Sequence, residues 1–314
     1  MIKRLQNKIA ESRYTLPAAA IYGLVIWLLC GMVQHQWWMQ FACFAVATYL
    51  MVELNNSNAL IRIYSRTVSA AFIILSCMVC SLFPSVEGNI AQLCLIASLL
   101  TLFRTYQDKT STGWTFYTFM ILCIGSLIHV HILWFIPVYW IIMMFFLYSM
   151  STRTFLASLL GVLLPYWCMF TWVLWQHEDD LSLFTQHFLP LGNYQFPADY
   201  TTISLPLTLS FLYIVVLSVT GIIHYLRTSF YDKIRIRQIY YSFIFLGAVA
   251  GIVLIIQPQQ YDLMLRVIII ATSPLIAHFI SLTHTRLTNI AFFVITGIAL
   301  MVTLFNLWSS SFIF

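Results

Sequence analysis

The chain has 314 residues, 61% of them hydrophobic and 8% charged, with a formal charge of +5. A soluble domain carries about 25% charged residues, so this composition excludes a water-exposed globular surface. Solid apolar runs, rather than short alternating segments, exclude an outer-membrane barrel, and the sparse, scattered charge excludes nucleic acid as a partner.

The predicted fold is all-α: one integral membrane domain over residues 1–314, a polytopic helix bundle of about eleven spans. Residues 1–15 come first, with Ile2, Leu5 and Ile9 on one helical face and basic residues around them. That pattern predicts a cytoplasmic amphipathic segment on the inner leaflet. No small-x-small cleavage site closes the run that follows, which predicts an uncleaved first span. The spans are expected at 16–33, 37–54, 67–84, 90–104, 114–129, 132–150, 154–175, 203–226, 239–257, 263–282 and 287–307, and the longest outer loop at 176–202. Helices about 17 to 25 residues long are what a bilayer requires.

The basic residues test that count. With the N-terminus cytoplasmic, Lys3, Arg4, Lys8, Arg13, Arg62, Arg66, Arg104, Lys109, Arg153, Arg227, Lys233, Arg235, Arg237 and Arg286 share the inner side. The positive-inside rule asks for such a bias. The outer side holds Glu87, Glu178, Asp179, Asp180, Asp199 and Asp262, and the C-terminus is extracytoplasmic. Trp37, Trp38, Trp114, Trp134, Trp175, Tyr240 and Tyr241 gather near span ends as interfacial anchors. The seven cysteines lie inside apolar runs, so no disulfide framework is expected.

Arg266 is the one basic residue on the outer half. Asp262 precedes it by four residues, one helical turn, with the acid toward the N-terminus, the favourable order. Two readings follow: a structural pair at a helix mouth, or a cation gripping an anion such as a lipid phosphate, for which a planar guanidinium is suited. Arg62 and Arg66 in LNNSNALIRIYSR stand at headgroup level, as a positive-inside turn or a contact for anionic headgroups. No metal is expected; His129, His131 and His177 are weak candidate ligands, since His129 and His131 diverge by about 200° unless the helix breaks between them. Asp179 and Asp180 read as the cap of a short interfacial helix whose apolar side is Leu181, Phe184 and Phe188. His278 reads as a hydrogen-bonded packing residue or a proton relay. No nucleotide loop, zinc-protease motif or serine elbow appears, and no cofactor is expected.

Three stretches in order, LNNSNALIRIYSR running into a span that ends FPSVEG, then SLLTLFRTYQD with IGSLIHVHILWFIPVYW, then RTFLASLLGVLLPYW, resemble an uncharacterised inner-membrane family of Bacteroides-type bacteria. That resemblance implies the bacterial inner membrane and no known activity. More loosely, the order of basic turn, Pro-ended span and Arg-bearing span is similar to multi-span glycosyltransferases that use lipid-phosphate sugars. Those enzymes carry an acid in the first outer loop, whereas VQHQWW here has none. On that resemblance Glu178, Asp179, Asp180, Glu87 or Asp199 would supply the base and Arg266 would hold the donor phosphate. Three functions are therefore expected to compete: a non-catalytic component of envelope assembly, a transferase, and a transporter or flippase. Membrane lipids, a lipid-linked saccharide or envelope proteins are the partners implied.

Overall fold

The computed structural model describes residues 4–176, 182–192, 200 and 203–311. The described residues form helices joined by short turns, with no strand among them. In chain order these are α1 (Leu5–Glu11), α2 (Thr15–Leu29), α3 (Trp38–Asn58), α4 (Thr67–Met78), α5 (Val86–Leu102), α6 (Thr112–Ile128) and α7 (Phe135–Phe145). Then come α8 (Thr152–Gln176), α9 (Ser182–Gly192), α10 (Leu205–Thr228), α11 (Ile234–Ile256), α12 (Tyr261–Leu282) and α13 (Arg286–Ser311). The expected eleven apolar runs each produce a helix. Six helical stretches among the described residues are long and apolar enough to cross a membrane; α1 and α2, bent by 88° to each other, meet the same test only when taken together. At 1.5 Å per residue α4 and α7 are only about 18 and 17 Å long, short of the ~30 Å hydrocarbon core.

The backbone explains the short ones. Val79 (φ −106°, ψ 77°) leaves the helical region and ends α4, and a tight turn at Cys80–Leu82 follows. His129 (φ −126°, ψ 92°) ends α6, and a second turn over Val130–Trp134 leads into α7. Such turns leave carbonyls outside the helical ladder, free to accept bonds from elsewhere.

α12 is the axis. Every residue from Leu263 to His278 is buried, with α4, α5, α10 and α11 packed around it. The approach of α10 is close enough that a Cβ on Gly221 would lie 2.9 Å from the Leu275 backbone. α13 is peripheral, most of its surface facing outward.

Hydrogen bonds define two ends of the bundle. At one, α1 meets the end of α12, Arg235 of α11 reaches Asn58 and Phe103 O, and Ser151 reaches Lys109 O. Among the described basic residues, Lys8, Arg62, Lys109 and Arg235 lie at this end. At the other, Gln40 donates to Pro84 O, Ser126 pairs with Tyr166, and α12 begins with Asp262.

α1 sits at the basic end with its polar face inward. The Gln6 side chain donates to Ile280 O (2.6 Å) and Thr283 Oγ1 (2.8 Å), and Asn7 donates to Thr283 O (2.9 Å). These bonds satisfy carbonyls that the end of α12 leaves unpaired. Leu5 and Ile9 face outward, as the amphipathic reading expects. Within 176–202, expected as a loop, lies α9. Its Phe184 and Phe188 rings stand 5.5 and 5.2 Å from Phe170 and Tyr166 of α8. Phe184 and Phe188 thus form the expected apolar side, while Asp179, Asp180 and Leu181 lie outside the described residues. Tyr240, expected as an interfacial anchor, is instead fully buried and stacked on Tyr225 at 4.5 Å.

Candidate functional site

The end at which α12 begins is built on Arg266, whose side chain is 2% exposed. Nε donates to Asp262 Oδ1 (3.3 Å), Nη1 to Asn89 Oδ1 (3.2 Å) and Gln92 Oε1 (2.8 Å), and Nη2 to Asp262 Oδ1 (3.2 Å) and the Leu82 carbonyl. A guanidinium has five N–H donors, and here five bonds engage them. Each acceptor is placed for a reason. Leu82 O is free because α4 has ended. Asn89 Nδ2 donates to Ser85 O (2.7 Å), which turns its oxygen toward Arg266. Ser85 caps α5 by accepting from Gly88 N (2.9 Å) and donates to Asp262 Oδ2 (3.2 Å). Gly88 is the close approach: a Cβ there would lie 2.0 Å from Asp262 Oδ2 and 2.6 Å from Arg266 Nε.

Of the two readings of Arg266, this geometry matches the structural pair, extended to a hub that ties α5 and the turn after α4 to α12. Burying an ion pair is favourable only when its remaining donors and acceptors are satisfied, and this one meets that condition.

Beside the hub lies a polar cavity of about 300 Å³ lined by Glu87, His129, His131, Gln186, His187 and Gln260. The helix does break at His129, and the His129 and His131 rings come within 5.4 Å, edge to face. Among the described residues no three His, Cys, Asp or Glu side chains are grouped to hold a metal ion. His129 Nδ1 and His187 Nε2 are buried without a hydrogen-bond partner among the described residues. Burial pushes His131 and His187 below the usual imidazole value, so both are neutral at pH 7. Glu87 is exposed at the start of α5. Of the other expected acids and ligands, His177, Glu178, Asp179, Asp180 and Asp199 lie outside the described residues.

The basic end holds a second buried network. Asp232, between α10 and α11, has a fully buried carboxylate. Arg62 Nε approaches its Oδ1 to 2.7 Å, as an ion pair without hydrogen-bond alignment. His278 Nε2 lies 3.1 Å from Oδ2, and His278 Nδ1 faces His224 Nδ1 at 3.4 Å. Donation from His278 Nε2–H to the carboxylate leaves Nδ1 to accept from His224. His278 is thus the hydrogen-bonded buried residue that one reading expects. Arg62, expected at headgroup level, has a partner within the protein: its charge faces Asp232 and its guanidinium covers the Tyr231 ring at 5.4 Å, while 34% of its side chain stays exposed. Arg66 reaches Asn56 Oδ1 and Tyr64 Oη, both at 3.3 Å, in an exposed setting that remains open to headgroups.

Sequence reading passed over Asp232 and His224. One signal was available for the first: in RTSFYDKIRIRQ the acid stands alone among basic residues, which favours a partnered carboxylate. His224 gave none, since its partner is 54 residues away.

Comparison with family models, with curated proteins and with solved structures finds no match. Function therefore has to be argued from these sites.

Proposed function

We propose that this chain is a non-catalytic component of envelope assembly in the bacterial inner membrane. It would cross the membrane about eleven times, with the basic end cytoplasmic and the C-terminus outside. The observation that carries this reading is the closure of Arg266. Arg266, the one Lys or Arg among the described residues at the end where α12 begins, has its five N–H groups engaged by the protein's own acceptors, leaving no cationic grip there for a donor phosphate. The segregation of basic residues to one end supports the orientation. Transport has less support: from Val267 to Ile276 the buried axis carries only Thr272 and Ser273 as polar side chains, and coupled transport generally places ionisable groups at mid-membrane.

The cavity favours a second reading. A carboxylate and three imidazoles at a helix-end crevice could serve general acid–base chemistry on a lipid-linked saccharide, with Glu87 as the base. Mass spectrometry of envelope lipids and glycans separates the two. A strain lacking the protein would be complemented by the natural sequence or by Glu87→Gln, with accumulation of both proteins checked. The non-catalytic reading expects Glu87→Gln to restore the natural profile. A missing sugar or a stalled lipid-linked intermediate in that strain alone overturns it in favour of the transferase.

A further inference from the structure

Away from both networks, α13 stands off the bundle and leaves an apolar slot of about 240 Å³ in the basic half. The stand-off is enforced. Tyr22 Oη meets Thr303 Oγ1 at 2.8 Å, Asn306 donates to Ser210 Oγ at 3.0 Å, Tyr213 donates to Ile295 O at 2.6 Å, and Asn289 Oδ1 accepts from Gln6 N at 3.1 Å. These four bonds fix the position of α13 along its length. Between them Ala19, Ala71 and Ala299 present small side chains to the slot, and Ile9 and Thr15, both reached by solvent, line the end that opens at its mouth.

We propose that this slot is the binding site of one anionic phospholipid, its acyl chain in the slot and its phosphate at the mouth. The inference rests on the membrane placement proposed above, not on whether the protein is catalytic. Water needs two to four polar partners to occupy a cavity, and these walls are almost wholly apolar. Left empty, the walls forfeit dispersion contacts on one side. In a bilayer the apolar filler at hand is an acyl chain.

The charge around the mouth selects the headgroup. Ile9 and Thr15 are flanked in sequence by Lys8 and Arg13, and both of these basic side chains are exposed. Arg4, on the same segment, has its Nη1 buried with no partner among the described residues. Across residues 4–13 the single acid, Glu11, stands against Arg4, Lys8 and Arg13. A net positive mouth over an apolar slot matches a phosphodiester headgroup without a compensating ammonium.

The test is native mass spectrometry of the full-length protein released from nanodiscs of equal phosphatidylglycerol and phosphatidylcholine. The expected result is one retained phosphatidylglycerol. Ala299→Phe and, as a milder filling, Ala71→Leu should each lower that adduct about tenfold. Both variants should keep the natural unfolding midpoint in lipid-free detergent, and if the bulkier one misfolds the milder one decides. Arg13→Gln should keep a lipid bound but reduce the preference for phosphatidylglycerol about fivefold, the roughly 1 kcal/mol of one basic side chain near an anionic surface. No retained lipid, retention unchanged in a folded slot-filled variant, or equal retention of both lipids by the natural protein would overturn the proposal.

Discussion

Replacing Gly88 by alanine adds one methyl group, and the structure says where it goes. The new carbon would sit 2.0 Å from Asp262 Oδ2, 2.6 Å from Arg266 Nε and 2.8 Å from Ser85 Oγ. All three atoms belong to the hub, so either α5 moves away from α12 or the Asp262–Arg266 pair opens. Separating a buried pair from its partners costs about 3–5 kcal/mol. Against this, alanine in place of glycine inside a helix gains about 1 kcal/mol. The net expectation is a loss of about 2–4 kcal/mol. Gly251→Ala is the control, because a Cβ there meets nothing within 4 Å and the propensity gain acts alone. Equilibrium unfolding in mixed micelles, titrated with a denaturing detergent, measures both. If Gly88→Ala proved as stable as Gly251→Ala, the hub would not be the closely packed unit described, and the structural account of Arg266 would fail.

The same measurement distinguishes the partners at the basic end. Arg62→Leu leaves the fully buried Asp232 carboxylate without a cation and should cost about 3–5 kcal/mol. Asp232→Asn should cost less, about 1–3 kcal/mol, because Arg62 has 34% of its side chain exposed and can turn to water; the reverse order would mean Asp232 is not held by Arg62. Stability should also depend on pH through His131 and His187, whose values burial lowers. The unfolded chain takes up protons first, at about pH 6.5. Stability is therefore flat above that point and falls as pH drops below it toward the lowered folded values. His131→Gln should flatten part of that fall, and an unchanged profile would place His131 in water rather than in the cavity wall.

Local features of this protein could be read from the sequence, and non-local ones could not. The last helices fall close to their expected ranges: α12 runs Tyr261–Leu282 against 263–282, and α8 Thr152–Gln176 against 154–175. Solid apolar runs end where polar residues begin, and that boundary is visible in one dimension. The Asp262–Arg266 pair was equally visible, being one turn of helix. The break after Met78 was not, because its apolar residues continue to Phe83; what it achieves is the release of Leu82 O to Arg266. Asn89 and Gln92, 177 and 174 residues from Arg266, decide between a hub and an anion site. Nothing local in their sequence marks them. The partner of Arg62 was hidden for the same reason, since Asp232 lies in another loop.

The two networks together account for a property that apolar packing could not supply. Between its ends α12 carries only Thr272 and Ser273 as polar side chains, and apolar contacts, being non-directional, specify the rotation and height of such a helix less sharply than paired polar groups do. Arg266 and His278 are separated by twelve residues, about 18 Å along the axis and about 120° around it. Arg266 faces α5, through Asn89 and Gln92, while His278 faces α10 and Asp232. A rotation of α12 by a single residue, about 100°, would pull both from their partners at once. A slide would do the same, because both groups are buried and neither can fall back on water. Buried polar groups are best attested as devices that fix register. Placing one at each end, on different faces, fixes both the height and the rotation of the axis on which the other helices pack.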